Sequence, residues 1–510
     1  MTQVNKEEKY DRQLRLWANS GQSSLESAKI LIIQPTSTTS ELLKNLILPG
    51  IGHFTIIDYD SKINDVDLSN NFYLGDDDLG KSKIDVLASN LQELNHDVSY
   101  SIQKIDPSQG SIEDFINAQN DLYWSQFDLV ISNYQLESLI TKLNDLKIPI
   151  MIINSIGFYG FLRIFKSTFE IYETHPQSLI DLRILSTWDE LQNYSDSIDL
   201  HSLDIEQHSQ IPYLIIQLKA VENWRLNHDN QLPTTSQEKK QFKELIRSWK
   251  KDHYQLNFDE AIDNSHKIFN NVKIPSNVKD IFSHIDEYYN DFNKRSVFWI
   301  LVKALKEFVD LNDGFLPLSG ELPDMDSTTE NYIKLQNIYL KKAQEDLAKL
   351  KDILIKLRLK LGKESLPISD EILKNFAKNS KFLYFSQNSN KLIPLNFNKI
   401  FDESHNSLIL LSFFIIERFQ KDTKKFPTLQ NIDELIKISH DFVTSDDDSL
   451  HLILHELVRS EGQELNNIAS LMGGIGSQEA IKIITKQYIP LDNTLIYDGI
   501  NSVTERWKLD

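Results

Sequence analysis

The chain has 510 residues, too many for one ordinary core, so two or three domains are expected. Its net charge of −20 excludes nucleic acid or an anionic membrane surface as the main partner, because phosphates select the opposite sign. It contains no cysteine, which excludes disulfides, thiolate zinc sites and any thiol nucleophile or thioester on this chain.

In chain order, the polar start MTQVNKEEKYDRQ shows no signal-peptide pattern. The segment YDRQLRLW, Tyr10 to Trp17, reads as a short amphipathic helix that packs Leu14, Leu16 and Trp17 on the core, with more helix around Leu25. Lys29 to Ile33 is an apolar run of strand length, Glu41 to Leu48 is helical in spacing, and Phe54 to Ile57 is a second strand ending in Asp58 and Asp60. Strand, helix, strand, acid is the opening of a nucleotide-binding parallel α/β sheet. Such a sheet needs glycines in its first turn, so that backbone N–H groups can approach phosphates. Here the turn is Gln34 to Ser40, with no glycine and with Pro35, which has no N–H to donate. The scaffold is present and the phosphate cradle is missing.

A loop follows from Asp65 to Gly80, then a helix from Lys81 to Leu94 and further strands at Val98–Ile102, Asp128–Ile131 and Ile150–Ile153. A helix from Leu136 to Leu146 lies among them, and Phe161 to Phe165 reads as an antiparallel strand. Residues 1–165 are therefore a largely parallel sheet covered on both faces. Residues 166–460 are mostly helical, with Thr329 to Leu361 the longest segment, a charged helix carrying one apolar stripe. Residues 461–510 return to the mixed pattern of the first part. A glycine-rich turn at Leu471 to Gln487 enters a helix, and Asn493 to Tyr497 is a strand. No apolar run is long enough to span a bilayer, and an intracellular protein is expected.

Four patterns could carry chemistry. Gly473-Gly474-Ile475-Gly476 lacks the lysine and hydroxyl residue of a phosphate loop and reads better as close packing at a helix N-terminus. Thr38 to Glu41 fits a capping box, with the Thr38 hydroxyl and the Glu41 carboxylate on free N–H groups. His451 and His455 share a helix face at zinc-ligand spacing, but no third ligand can be placed, so an incidental pair is the better reading. Asp58 and Asp60 could hold a ribose, although nothing beside them would hold a pyrophosphate.

At YDRQLRLW, LLKNLILPGIGHFTIID and SQEAIKIITKQ the chain resembles the activating enzymes for ubiquitin-like modifiers. The segment Ser319 to Tyr339 narrows the resemblance to the regulatory-subunit family of the heterodimeric Nedd/Rub-type enzymes. The resemblance implies a Rossmann-like adenylation fold, α/β with a mostly parallel sheet, interrupted by a long helical domain related to the catalytic-cysteine domain. It implies ATP and Mg²⁺ on a homologous, cysteine-bearing partner subunit, none on this chain, with a Nedd/Rub-type modifier as the third party. A cytoplasmic or nuclear location follows from it. Departures from the active pattern agree with a degenerate copy. Ser69-Asn70-Asn71-Phe72 stands where active chains carry Asn-Arg-Gln, and Asn133 to Gln135 stands where they carry a Mg²⁺-binding aspartate. The family lysine persists as Lys83. By the same resemblance Arg12 reaches across the dimer interface to ATP phosphates on the partner; its plainer reading is a surface ion pair with Asp11 or Glu26. The smaller subunit of the SUMO-activating enzyme shares YDRQ and RLW but keeps a glycine-rich turn. A non-enzymatic Rossmann-like scaffold is the alternative from another class.

Overall fold

The computed structural model describes residues 6–106, 108, 110–175, 181–269, 272–362, 366–387, 406–443 and 448–509. The extreme polar start, residues 1–5, lies outside them. The chain forms two compact units, Met1–Ile171 with Phe385–Asp510, and Tyr172–Tyr384.

In the first unit α1 (Asp11–Ser27) leads into β1 (Lys29–Ile33), α2 (Ser37–Ile47) and β2 (His53–Tyr59). Then come α3 (Asp65–Asn70), α4 (Lys83–Gln92), β3 (Ser99–Ile105), β4 (Leu129–Ser132), α5 (Glu137–Asp145), β5 (Ile150–Ile156), β6 (Tyr159–Phe165) and β7 (Thr168–Ile171). The stretch Asp65 to Gly80, expected as loop, holds α3 because Asn64 and Asp67 cap each other's backbone at its start. The second unit is helical, including α6 (Tyr213–Asn227), α7 (Val297–Leu311) and α8 (Thr329–Leu361). In α8 the apolar stripe Leu335, Ile338, Tyr339, Leu350, Leu354 and Leu357 is buried. Within that stripe the fully buried Asp346 is met by Lys342 at 2.8 Å and by the Leu318 N–H at 3.1 Å.

After β8 (Tyr384–Gln387) the first unit resumes with α9 (Ser407–Thr423), α10 (Asp448–Arg459), α11 (Asn466–Thr485), β9 (Thr494–Asp498) and β10 (Val503–Trp507). The helical stretch expected from 166 to 460 is thus divided: residues 172–384 are a unit of their own, and α9 and α10 belong with the sheet. The reason lies in α9, whose Leu408 to Phe413 run is apolar on nearly every side. It shares one core with Leu31, Ile33, Val130 and Ile152 of the strands, and Phe413 meets Phe161 edge-on at 4.9 Å.

The main sheet has the order β10-β9-β6-β5-β4-β1-β2-β3. Strands β3, β2, β1, β4 and β5 are parallel; β6, β9 and β10 continue antiparallel. Order reverses beside β1, which lies between β2 and β4. In an open parallel sheet that switch point, at the carboxyl ends of the strands, is where a ligand would sit.

Candidate functional site

The switch point is built by α2, whose N-terminal N–H groups carry the positive end of the helix dipole. Thr36, not Thr38, is the N-cap. Its N–H donates to Thr39 Oγ1 at 2.7 Å and the Thr39 N–H donates back to Thr36 Oγ1 at 3.3 Å. The helix begins two residues earlier than the Thr38–Glu41 pattern suggests, and those two residues have other tasks. Thr38 Oγ1 shares a hydrogen bond with Ser155 Oγ at 2.8 Å. Glu41 pairs with Lys44 at 2.5 Å and accepts from the Tyr73 hydroxyl at 3.1 Å.

The next two N–H groups, Ser37 and Thr38, are aimed where a phosphate would lie, and both are taken. Glu464, in the loop between α10 and α11, accepts from the Ser37 N–H at 2.5 Å and from the Thr38 N–H at 3.2 Å. Ser155 Oγ donates to the same carboxylate at 3.3 Å. The loop is held by the Gly157 N–H on the Gln463 carbonyl at 2.9 Å and by Asn70 Nδ2 on Gln463 Oε1. Ser37 Oγ donates to the Asn70 carbonyl, so residues 69–71 close the same end from the other side. The protein's own carboxylate occupies the place of an anionic ligand.

The glycine cluster makes this arrangement possible without touching it. Gly473, Gly474 and Gly476 lie inside α11, not at its N-terminus. A Cβ on Gly473 would stand 2.7 Å from Glu41 Cβ and 2.8 Å from the Leu42 N and Thr38 O of α2; one on Gly476 would stand 2.7 Å from Leu42 Cδ1. Their absent side chains let α11 lie against α2. The close packing read from the sequence is therefore present at mid-helix, because the long run of favourable contact outweighs the low helix propensity of glycine.

Most of the remaining expected positions are engaged within the chain. Asp58 is buried at the end of β2, and that burial pushes its carboxyl up to about 6 against the Tyr59 N–H, which favours the charged form. Asp60 is exposed, accepting from Ser82 Oγ at 2.9 Å and facing Lys104 at 3.4 Å. Lys83 is spent on Asp67 at 2.7 Å. At the end of β4, Gln135 accepts from Arg163 Nη1 at 2.6 Å, and Asn133 is buried with Oδ1 unpartnered. Arg163 is pushed down to about 10 by burial; burial also pushes Glu417 of α9 up to about 7, opposed by the Gln135 N–H and by Arg163. His451 and His455 stand on the outer flank of α10, and among the described residues no group of three metal-binding side chains comes together. These residues do not fit ATP with Mg²⁺: the turn offers no glycine N–H groups, the helix N–H groups are filled, and the lysine is paired.

Arg12 is a different case. It is exposed on α1, and among the described residues no hydrogen bond or ion pair of its guanidinium is found. Asp11 pairs with Arg15 at 2.9 Å, and Glu26 accepts from Gln22 Nε2 at 3.2 Å, so both partners considered for Arg12 are engaged elsewhere. Leu16, expected in the core, is exposed on the same turn, while Trp17 is buried.

The ThiF family profile matches residues 10–510. A "NEDD8-activating enzyme E1 regulatory subunit" from Gallus gallus is 34% identical over 99% of this chain and 98% of its own length. The "NEDD8-activating enzyme E1 regulatory subunit AXR1" of Arabidopsis thaliana is 34% identical over 100% of this chain and 97% of its own. The chain belongs to the ThiF family, among the NEDD8-activating enzyme E1 regulatory subunits. The Saccharomyces cerevisiae member is similar at 26% identity over 98% of this chain and 100% of its own. Membership in this family accounts for an adenylation-type sheet on a chain without cysteine. A regulatory subunit of an E1 implies a catalytic partner. No helix among the described residues is long and apolar enough to cross a membrane.

Proposed function

We propose that this chain is the non-catalytic half of a heterodimer that activates a NEDD8-type modifier for transfer to cullins. A homologous, cysteine-bearing subunit holds ATP and Mg²⁺, adenylates the modifier's C-terminus and takes it as a thioester. This chain completes that assembly from the cytoplasm or nucleus. Its helical unit stands where the partner carries a cysteine domain. The observation that carries the reading is the occupation of the α2 N-terminus by Glu464, on a chain with no cysteine. A chain so built has neither a glycine-rich phosphate cradle nor a thiol nucleophile, and its contribution is made through its partner. The relatives' names favour this modifier over SUMO.

Arg12 is the group by which that contribution reaches the chemistry. Its planar fork stays charged and can make two hydrogen bonds to phosphate at once. Placed on the partner's ATP, it stabilises charge as pyrophosphate leaves. The test is ATP–pyrophosphate exchange with NEDD8, run on this chain alone, on the partner alone and on the heterodimer. Exchange restricted to preparations containing the partner, and fastest in the heterodimer, is expected. A micromolar ATP–Mg²⁺ site found by calorimetry on this chain alone, or a DTT-sensitive band at its mass plus the modifier, overturns the reading.

A further inference from the structure

Two segments singled out in the sequence, YDRQLRLW and SQEAIKIITKQ, meet in the fold at their last residues. The junction is at the break in α1. Helical geometry fails at Trp17 (φ −131°, ψ 15°) and Ala18 (φ 54°, ψ −176°), so Asp11–Leu16 is a separate turn joined to the rest of α1 by a kink. Ala18 sits in the left-handed region without being glycine, a conformation that surrounding contacts must impose.

Gln487 Nε2 donates to the Trp17 carbonyl at 3.0 Å, at the break itself. The Trp17 indole Nε1 donates to Gln22 Oε1 at 3.1 Å, and Gln22 Nε2 donates onward to the Pro49 carbonyl at 2.9 Å. Gly21 lies under the indole: a Cβ there would stand 2.7 Å from Trp17 Cβ. At the other end Tyr10 is buried, its hydroxyl accepting from Asn95 Nδ2 at 3.0 Å. The turn is therefore held at Tyr10 and at Trp17, and between the two holds Arg12 stands exposed with no partner of its own among the described residues. Gln487 is itself 2% exposed, and its neighbours Lys486 and Tyr488 both have left-handed φ, 55° and 58°. Three residues in such backbone conformations surround one side-chain hydrogen bond.

We infer that Gln487 is a positioning residue for Arg12: by holding the Trp17 carbonyl it keeps α1 broken and so sets the direction in which the Asp11–Leu16 turn presents the guanidinium. The inference rests on the reading of Arg12 given above. It adds a residue that touches neither nucleotide nor modifier and lies 475 positions away in sequence, the difference between 487 and 12.

The test is a double-mutant cycle on the heterodimer with an unaltered partner, reading kcat and KM for pyrophosphate exchange with ATP and NEDD8. Gln487→Ala should lower kcat by roughly ten- to a hundredfold, the scale of a small misplacement of a charge-stabilising group, and by no more than Arg12→Ala does. Its KM for the modifier and its heterodimer affinity should be unchanged. Gln487→Glu, equal in length but with no N–H to donate, should lose as much. In an Arg12→Ala background the same changes should cost less than about twofold, because the group they aim is gone. A structural role predicts the opposite: the two losses multiply, and that result overturns the inference. Arg12→Ala slow with Gln487→Ala at full rate overturns it while leaving the Arg12 reading intact. Arg12→Ala at full rate overturns both. Should the Gln487 variants fail to assemble, Gly21→Ala displaces the indole of the same turn, and its loss must likewise vanish in the Arg12→Ala background; a loss that persists there overturns the inference.

Discussion

At the start of α2 the polypeptide turns its own carboxylate onto its own amides, whereas at the start of α1 a guanidinium stands with no partner among the described residues. Both places lie in the same unit, and each offers groups that could meet an anion. They differ in how much of their hydrogen-bonding capacity is already used. Glu464, Ser155, Asn70 and Gln463 consume what the α2 end offers. Near Arg12, Asp11 is paired with Arg15 and Lys9 with Asp97, and neither acid reaches the guanidinium. The lesson is that loss of a ligand site is achieved by satisfying its polar groups, not merely by deleting its motif.

The contrast is broken most severely at Arg12. Arg12→Ala should leave heterodimer formation intact and slow the partner's pyrophosphate exchange by on the order of ten- to a thousandfold, and Arg12→Lys should restore little of it. An unmutated rate would make the exposed guanidinium a bystander.

On the closed side, Glu464→Ala opens two N–H groups that had a charged acceptor and should cost about 2–3 kcal/mol in denaturant unfolding. Glu464→Gln should recover about half of this, since an amide oxygen still accepts. Neither variant should gain an ATP site detectable by calorimetry, because Pro35 still offers no N–H and the turn still has no glycine. A loss well under about 0.5 kcal/mol for Glu464→Ala would mean that the carboxylate is not what closes the helix end.

Asp58 sharpens the same region by pH. Its folded value is raised from 3.8 to about 6, so the folded state holds its proton longer than the unfolded chain does. Stability is greatest below the unfolded value and is lost as pH rises through about 6. Asp58→Asn removes that loss. At pH 8 the variant should be more stable than the parent by about 2–3 kcal/mol, since a tenfold change in proton affinity is worth about 1.36 kcal/mol, and the two should converge near pH 4.

Of these features the sheet was legible and the closure was not. Lys29 to Ile33 and Phe54 to Ile57 are short, mostly apolar runs of strand length, broken only by Lys29 at one end and by Thr55, and both are buried strands. The absence of glycine from Gln34 to Ser40 could be read directly. What replaced the ligand could not: Glu464 lies 427 residues from Ser37, and a lone acid in a loop carries no local signal. The helix start was misplaced by two residues because Thr38–Glu41 fits the Ser/Thr-x-x-Glu/Gln pattern, whereas the box that forms closes through a threonine at N3, Thr39, which that pattern does not describe. The core packing given to Leu16 failed because one break at Ala18 rotates its turn away, and no propensity scale anticipates a left-handed alanine.

The smallest effects separate the two faces of α11. Gly473→Ala drives a Cβ onto the backbone of α2 and should destabilise by about 1–3 kcal/mol. Gly474, one residue on, has nothing within 4 Å, and Gly474→Ala should stabilise by about 0.5–1 kcal/mol through the helix propensity alone. Equal costs at the two positions would mean that α11 and α2 are not in the close contact that holds the Glu464 loop in place.

Because the anion at the α2 terminus is covalently part of the chain, its supply never runs down. A free ligand stabilises a protein by mass action, in proportion to the logarithm of its concentration, and withdraws that support when it becomes scarce. A tethered carboxylate acts at a fixed effective concentration set by the length of the loop that carries it. The folding of this subunit is in that respect indifferent to the nucleotide level of its surroundings. On the function proposed above, dependence on nucleotide would belong to the partner it joins.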